Sequence, residues 1–152
     1  MTPNPNTISI IMIGGTGVGK SQLGNRLVNK NVFKVGKTFS SETKGKQKGS
    51  GTLGNLEVRI IDTQGFFDTE EHGDDDLKTK NFIVDLFIED KCIDGIIFVF
   101  NSTDLRKGQH YKDLIKNLKE IFGIEILKER LKIIFTHAKH GVEYDENEEE
   151  NQ

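Results

Sequence analysis

A three-layer α/β fold, built on a mostly parallel sheet with one antiparallel strand, is what this 152-residue sequence predicts, and three observations carry the prediction. Short apolar runs such as Ile8–Ile13 and Ile96–Phe100 alternate with stretches whose apolar residues fall at helical spacing, the signature of successive βαβ units. One pair of strand-like segments is separated only by Gly54-Asn55, a two-residue hairpin signal that makes those two strands antiparallel neighbours. The first apolar run leads directly into a glycine-rich loop ending in Gly-Lys-Ser, with a helical pattern behind it.

Taken in order, Ile8-Ser9-Ile10-Ile11-Met12-Ile13 is the first strand, and Leu23, Leu27 and Val28 set a helix over Gln22 to Asn29. Residues 34–51 are polar, rich in Gly, Ser and Lys, and show no sustained period, so they read as a loop. Thr52-Leu53 and Leu56 to Asp62 flank the hairpin turn, and Leu56, Val58 and Ile60 alternate with Glu57 and Arg59 as a half-buried strand should. A broad apolar helix face runs through residues 77–88, and Gly95-Ile96-Ile97-Phe98-Val99-Phe100 is apolar on both faces, as in a fully buried strand. Tyr111, Leu114, Ile115, Leu118, Ile121 and Phe122 mark another helix, and Leu131-Lys132-Ile133-Ile134-Phe135-Thr136 a last strand. The order β, α, β, β, α, β, α, β implies right-handed crossovers with helices on both faces of the sheet.

The chain has the length of one domain with a real core, expected over residues 7–142, followed by an acidic, disordered tail over 143–152. The formal charge of −3 is misleading, because residues 143–150 alone carry six carboxylates and the rest of the chain is formally +3. That is too small an excess to argue for nucleic-acid binding. A single cysteine, Cys92, excludes an internal disulfide and a multi-cysteine zinc site and suits a reducing, cytoplasmic setting. No apolar run reaches membrane-spanning length, and Ile8–Ile13 is too short and lacks the basic flank of a signal peptide.

The chemistry concentrates in two motifs. Gly14, Gly19, Lys20 and Ser21 fit Gly-x4-Gly-Lys-Ser, a loop whose glycines let successive backbone N–H groups turn inward as an anion nest. Gly15, Thr16, Gly17, Val18, Gly19, Lys20, Ser21 and Gln22 are the expected nucleotide contacts, with Lys20 a cation for the outer phosphates and Ser21 a ligand for Mg²⁺. Asp62-Thr63-Gln64-Gly65 falls at the carboxyl end of a strand, where open α/β sheets place their ligands. Asp62 is expected to hold Mg²⁺ through water, and the Gly65 N–H to sense a γ-phosphate. Thr43 is the candidate to close over the metal, with Thr38 as its rival and a solvated side chain as the alternative for either. Lys34, Lys37, Lys44, Lys46 and Lys48 read as a solvated surface, with Asp68, Glu70, Glu71, Asp74, Asp75 and Asp76 as the nearest complement in charge.

Gly-Gly-Thr-Gly-Val-Gly-Lys-Ser, Leu23-Gly24-Asn25, Ile61-Asp62-Thr63-Gln64-Gly65-Phe66-Phe67-Asp68-Thr69, Glu120-Ile121-Phe122-Gly123 and Phe135-Thr136-His137 together resemble the AIG1-type GTPases. These include the immunity-associated GIMAP proteins and are related to the chloroplast Toc receptors and the septins. The resemblance implies a P-loop GTPase fold that binds GTP and GDP with Mg²⁺, pairs as a homodimer across its nucleotide face, and in many relatives is tethered to a membrane by a later segment. It also implies that Thr136 and His137 lie at the base, although on the residues alone an ordinary loop histidine is the stronger reading of His137.

Two departures from that pattern, at Lys139 and at the end of the sequence, shape the expectations together with Phe66 and Arg106. Lys139 stands where GIMAP-like members carry a carboxylate for the guanine N1–H, and it can only donate hydrogen bonds; Toc-type relatives lack the acid as well. The sequence stops where a last helix–strand–helix is expected. Phe66 follows Gly65 where Ras-like enzymes place a water-orienting Gln, so intrinsic hydrolysis should be slow unless Gln64 or a partner supplies the polar group. Arg106, counted back from Ile121-Phe122-Gly123, falls where GIMAP-like sequences carry an arginine that can reach a facing subunit; the alternative is a surface arginine. The leading reading is thus a GTP switch with slow, dimer-dependent hydrolysis. A GTP-dependent scaffold that never turns the nucleotide over is the second, and an ATP-using P-loop enzyme the third.

Overall fold

The computed structural model describes residues 6–35, 46–63, 65, 76–90, 93–103 and 108–137. Among them the elements run β1 (Thr7–Gly14), α1 (Lys20–Val28), β2 (Lys46–Leu53), β3 (Leu56–Thr63), α2 (Asp76–Glu89), β4 (Gly95–Asn101), α3 (Gly108–Phe122), α4 (Ile124–Arg130) and β5 (Leu131–Thr136). The sheet has the order β2-β3-β1-β4-β5. β1 pairs in parallel with β3 and β4, β4 in parallel with β5, and β2 alone runs antiparallel, to β3. The expected mostly parallel sheet with one antiparallel strand is therefore the observed one.

The central strands are apolar on both faces because both faces are covered. On one face Ile11, Ile13, Ile61, Ile96 and Phe98 meet Ile83 and Leu86 of α2, Tyr111, Leu114 and Leu118 of α3, and Leu127 of α4. On the other, Met12, Val58, Ile60, Ile97 and Val99 meet Val18, Val28 of α1 and Phe33. Ile11, Met12, Ile60, Ile61, Phe98 and Val99 are wholly excluded from solvent, and each such side chain contributes about 1.5–3 kcal/mol over leaving it in water.

Two element starts differ by two residues or more from the sequence reading, and one helix is additional. α1 starts at Lys20, two residues early, because the phosphate loop runs into the helix with no intervening turn. β2 begins at Lys46, inside the stretch read as a loop. Its sequence, Lys-Gln-Lys-Gly-Ser-Gly-Thr-Leu, has no apolar alternation because neither face needs it. Toward α1 it presents Gly49 and Gly51, and a Cβ at Gly51 would fall 2.1 Å from the Val28 carbonyl oxygen. α4 was also missed: only Leu127 of its seven residues is buried, too little for a periodic signal.

The opposite face of β2 carries Lys46 and Lys48, which do not form the solvated surface expected of them. Asp90, 4% exposed just past the end of α2, accepts from Lys46 Nζ at 3.0 Å and from Lys48 Nζ at 2.5 Å, and Lys46 also pairs with Glu89. Burial works against the charge on Asp90, but the hydrogen bonds and charges of Lys48 and Lys46 outweigh it and hold the carboxyl below its ordinary value. Lys34 is exposed as expected, while Lys37, Lys44 and the acidic run 68–75 lie outside the described residues.

Candidate functional site

β1 delivers the phosphate loop to the carboxyl edge of the sheet, with Met12 in register with Asp62 of β3 and Gly14 in register with Val99 of β4. Gly17 and Gly19 take left-handed conformations, with φ of 71° and 92°, which bends the loop into the concave run of N–H groups that holds an anion. Gly19 is also the residue that caps α1: it brings no side chain to the first N–H groups, and the first turn of α1 holds no acidic residue. The positive end of the helix therefore faces the loop without a side-chain cap, as an anion site at a helix start requires. Lys20 is 6% exposed and its Nζ donates to the carbonyls of Gly14 at 3.0 Å and Gly15 at 2.7 Å. The ammonium is thus laid back along the loop whose phosphates it would neutralise.

The second motif meets the first at two points. Ser21 Oγ donates to Asp62 Oδ2 at 2.6 Å, and Asp62 is completely buried. Thr63 Oγ1 donates to the Met12 carbonyl at 2.8 Å, fixing the end of β3 against β1. The second contact is Gly65 on Thr16: a Cβ at Gly65 would lie 1.7 Å from Thr16 Oγ1 and 2.5 Å from Thr16 Cα and N, so only glycine fits. Ser21 and Asp62 bring together two hard oxygen donors beside a cationic phosphate cradle, the donor set Mg²⁺ takes when it keeps waters and phosphate oxygens as its other ligands. Among the described residues no three His, Cys, Asp or Glu side chains cluster to cage a metal by themselves.

At the end of β5 the Thr136 hydroxyl lies 2.6 Å from the Val18 carbonyl and 2.8 Å from the Phe100 carbonyl. It ties β5, β4 and the phosphate loop at one atom. His137 follows with φ of 56°, an uncommon left-handed conformation for a non-glycine residue, and its Nδ1 is 3.1 Å from Thr136 Oγ1. A Cβ at Gly19 would be 3.6 Å from Thr136 Cγ2 and 4.0 Å from His137 Cε1, so the pair stands directly over the start of α1.

Of the residues singled out in the sequence, the structure brings Gly15, Thr16, Gly17, Val18, Gly19, Lys20, Ser21, Asp62, Gly65, Thr136 and His137 into one region at the carboxyl edge of the sheet. Gln22 is on α1 with its side chain exposed. Thr43, its rival Thr38, Gln64, Phe66, Arg106 and Lys139 lie outside the described residues. Asn25 enters the sequence reading only within Leu23-Gly24-Asn25, with no role assigned to it. It is buried on α1, its Nδ2 donates to the Phe33 carbonyl at 2.8 Å, and its Oδ1 accepts from the N–H groups of Val32 at 2.9 Å and Phe33 at 2.8 Å. A lone Asn in a helix is uninformative until the returning chain it holds is seen.

Residues 8–149 match the AIG1 family. The chain is 30% identical over 129 residues to immune-associated nucleotide-binding protein 7 of Arabidopsis thaliana, covering 84% of this chain and 40% of that protein. Toc33 from Arabidopsis thaliana in complex with Mg²⁺ and GMPPNP superimposes with a TM-score of 0.67 at 23% identity, over 87% of this chain and 51% of that one. A structure of the chloroplast translocon components atToc33 and psToc159, for whose GTPase activity dimerisation is described as important, gives a TM-score of 0.70 at 25% identity, over 88% of this chain and 51% of that one. The chain therefore spans about two fifths to one half of the length of these relatives.

Proposed function

The chain belongs to the AIG1 family, and from that we propose that it is a guanine-nucleotide switch: a domain over residues 7–142 that binds GTP and GDP with Mg²⁺ and hydrolyses GTP slowly on its own. The observation that carries this is the 2.6 Å hydrogen bond between Ser21 and Asp62, which joins a Gly-x4-Gly-Lys-Ser loop to an Asp-x-x-Gly strand end. That pairing serves Mg²⁺ and a γ-phosphate together, and an ATP-dependent small-molecule kinase has no need of the second glycine. In the proposed complex the nest of N–H groups from Gly15 to Gly19 and the ammonium of Lys20 hold the phosphates, while Ser21 and, through water, Asp62 hold the metal. Mg²⁺, when bound, supplies charge neutralisation across the outer phosphates. Thr43 completes the metal site and Gly65 N–H reads the γ-phosphate. Thr136 and His137 border the base, a position consistent with their contact to the start of α1.

The low intrinsic rate follows from Phe66, whose ring cannot orient a water. In this reading a second copy of the chain faces the nucleotide and contributes Arg106, a charge stabiliser that in other GTPases adds roughly 10³–10⁵ in rate when supplied in trans. The activity reported for the translocon relatives supports a dimeric form. No helix among the described residues is long and apolar enough to cross a membrane, and the domain is proposed to act in the cytoplasm.

GTP turnover measured against protein concentration tests the reading. Specific activity should rise with concentration, and Arg106→Ala should abolish the rise while nucleotide still binds. A variant that keeps the rise removes Arg106 from the mechanism. A wild type that binds GTP and shows no turnover at any concentration leaves a nucleotide-dependent scaffold.

A further inference from the structure

Thr16, between Gly14 and Gly19 in the phosphate loop, meets Gly65 of the second motif through its side chain. A Cβ at Gly65 would lie 1.7 Å from Thr16 Oγ1, and since a Cα–Cβ bond is about 1.5 Å long, the Gly65 Cα itself stands within about 3.2 Å of that oxygen. That is already inside the usual Cα–H···O distance of about 3.3–3.6 Å. The hydroxyl is the nearest of the three Thr16 atoms around that position, with Thr16 Cα and N 2.5 Å from the same Cβ, so Gly65 stands first against the Thr16 side chain and next against its backbone. Asp62 behind it is anchored by Ser21, and Thr63 by the Met12 carbonyl.

The geometry points to Thr16 as a spacer that sets how near the Gly65 N–H can come to the phosphate loop, and thereby how well the protein tells a nucleoside triphosphate from a diphosphate. A terminal phosphate must fit between the loop and that N–H with a hydrogen bond of about 2.7–3.2 Å to the N–H. A smaller residue at 16 lets the segment settle inward and narrows the place for the outer phosphate. A diphosphate never enters that place and does not sense the change. The proposal rests on the guanine-nucleotide reading above and extends it to a positioning residue acting through Gly65.

Affinities for GMPPNP and GDP in Mg²⁺ buffer, measured by titration calorimetry on the wild type, Thr16→Ala and Thr16→Val, test it. Thr16→Ala should lower the GMPPNP-to-GDP affinity ratio by about tenfold, the scale of one hydrogen bond to a charged group. Thr16→Val keeps the bulk without the hydroxyl and should keep most of the wild-type ratio. An unchanged ratio in Thr16→Ala overturns the spacer, and so does an equal fall in both variants, which would assign the effect to the hydroxyl as a hydrogen-bonding group. A wild type that binds neither nucleotide sinks the underlying assignment instead, a result that cannot be mistaken for a failed spacer.

Discussion

Replacing Asn25 by alanine should destabilise the domain far more than the loss of one small polar side chain suggests. Its amide makes three hydrogen bonds to the chain that returns after α1, two of them to Phe33, which is 4% exposed. In Asn25→Ala the Phe33 N–H and C=O are left buried without that partner, at about 1–3 kcal/mol each. Val32 is 44% exposed, so its N–H can turn to water and adds little. The expected loss is about 4 kcal/mol, set against the roughly 5–15 kcal/mol that holds a typical domain together. Phe33 packs among Met12, Val28 and Val58, so a released loop also loosens the core on the α1 face. Urea unfolding reads this as a lower midpoint at unchanged slope. Asn25→Asp sharpens the test, because it keeps an acceptor for the two N–H groups but turns an oxygen toward the Phe33 carbonyl. A loss below about 1 kcal/mol in the alanine variant would refute the accounting of orphaned groups, and an aspartate variant as stable as the wild type would show that the bond from Nδ2 contributes nothing.

Lys20→Ala and Ser21→Ala should each weaken GTP binding at least about tenfold in Mg²⁺ buffer, since each removes a charge-assisted contact; wild-type affinity in both would remove the phosphate-loop assignment. Asp90→Asn should cost about 2 kcal/mol at neutral pH, discounted from a fully buried pair because the Lys48 side chain is 45% exposed. The folded Asp90 carboxyl lies below its ordinary 3.8, so the stability it confers is complete above that value and is lost as pH falls through the folded one. Melting temperatures of wild type and Asp90→Asn should accordingly converge in acid, and a gap that persists well below pH 3.8 would mean that the charge is not what matters.

The parts of this molecule that could be read from sequence are those where one physical demand dominates a short window. β1 and β4 announce themselves because a strand covered on both faces must be largely apolar, and the hairpin because Gly54 at φ 60° and Asn55 make a two-residue turn. The meeting of Ser21 with Asp62 follows from topology, since both sit at the carboxyl edge of adjacent strands. What escaped depends on partners distant in sequence. The lysines of β2 look solvated until Asp90, more than forty residues later, is placed beneath them. Asn25 looks like any helical asparagine until the chain folds back over it, and the Thr16–Gly65 contact is invisible because neither residue type demands the other.

β2 is keyed to its neighbour by what it lacks. A polar, glycine-rich edge strand ordinarily has several pairings of similar energy, and a shift by two residues preserves which side chains face which way. Here such a shift would carry Gln47 into the place of Gly49, where even a Cβ lies 2.6 Å from Val32 Cγ2 and 2.7 Å from Phe33 Cζ. The opposite shift would bring Leu53 to the place of Gly51, against the Val28 carbonyl. Sliding is thus blocked in both directions, while Asn25 fixes the chain at Val32 and Phe33 on the other side of residues 36–45. β2 therefore enters the sheet in one register, selected by the absence of side chains at Gly49 and Gly51 rather than by any side chain it presents.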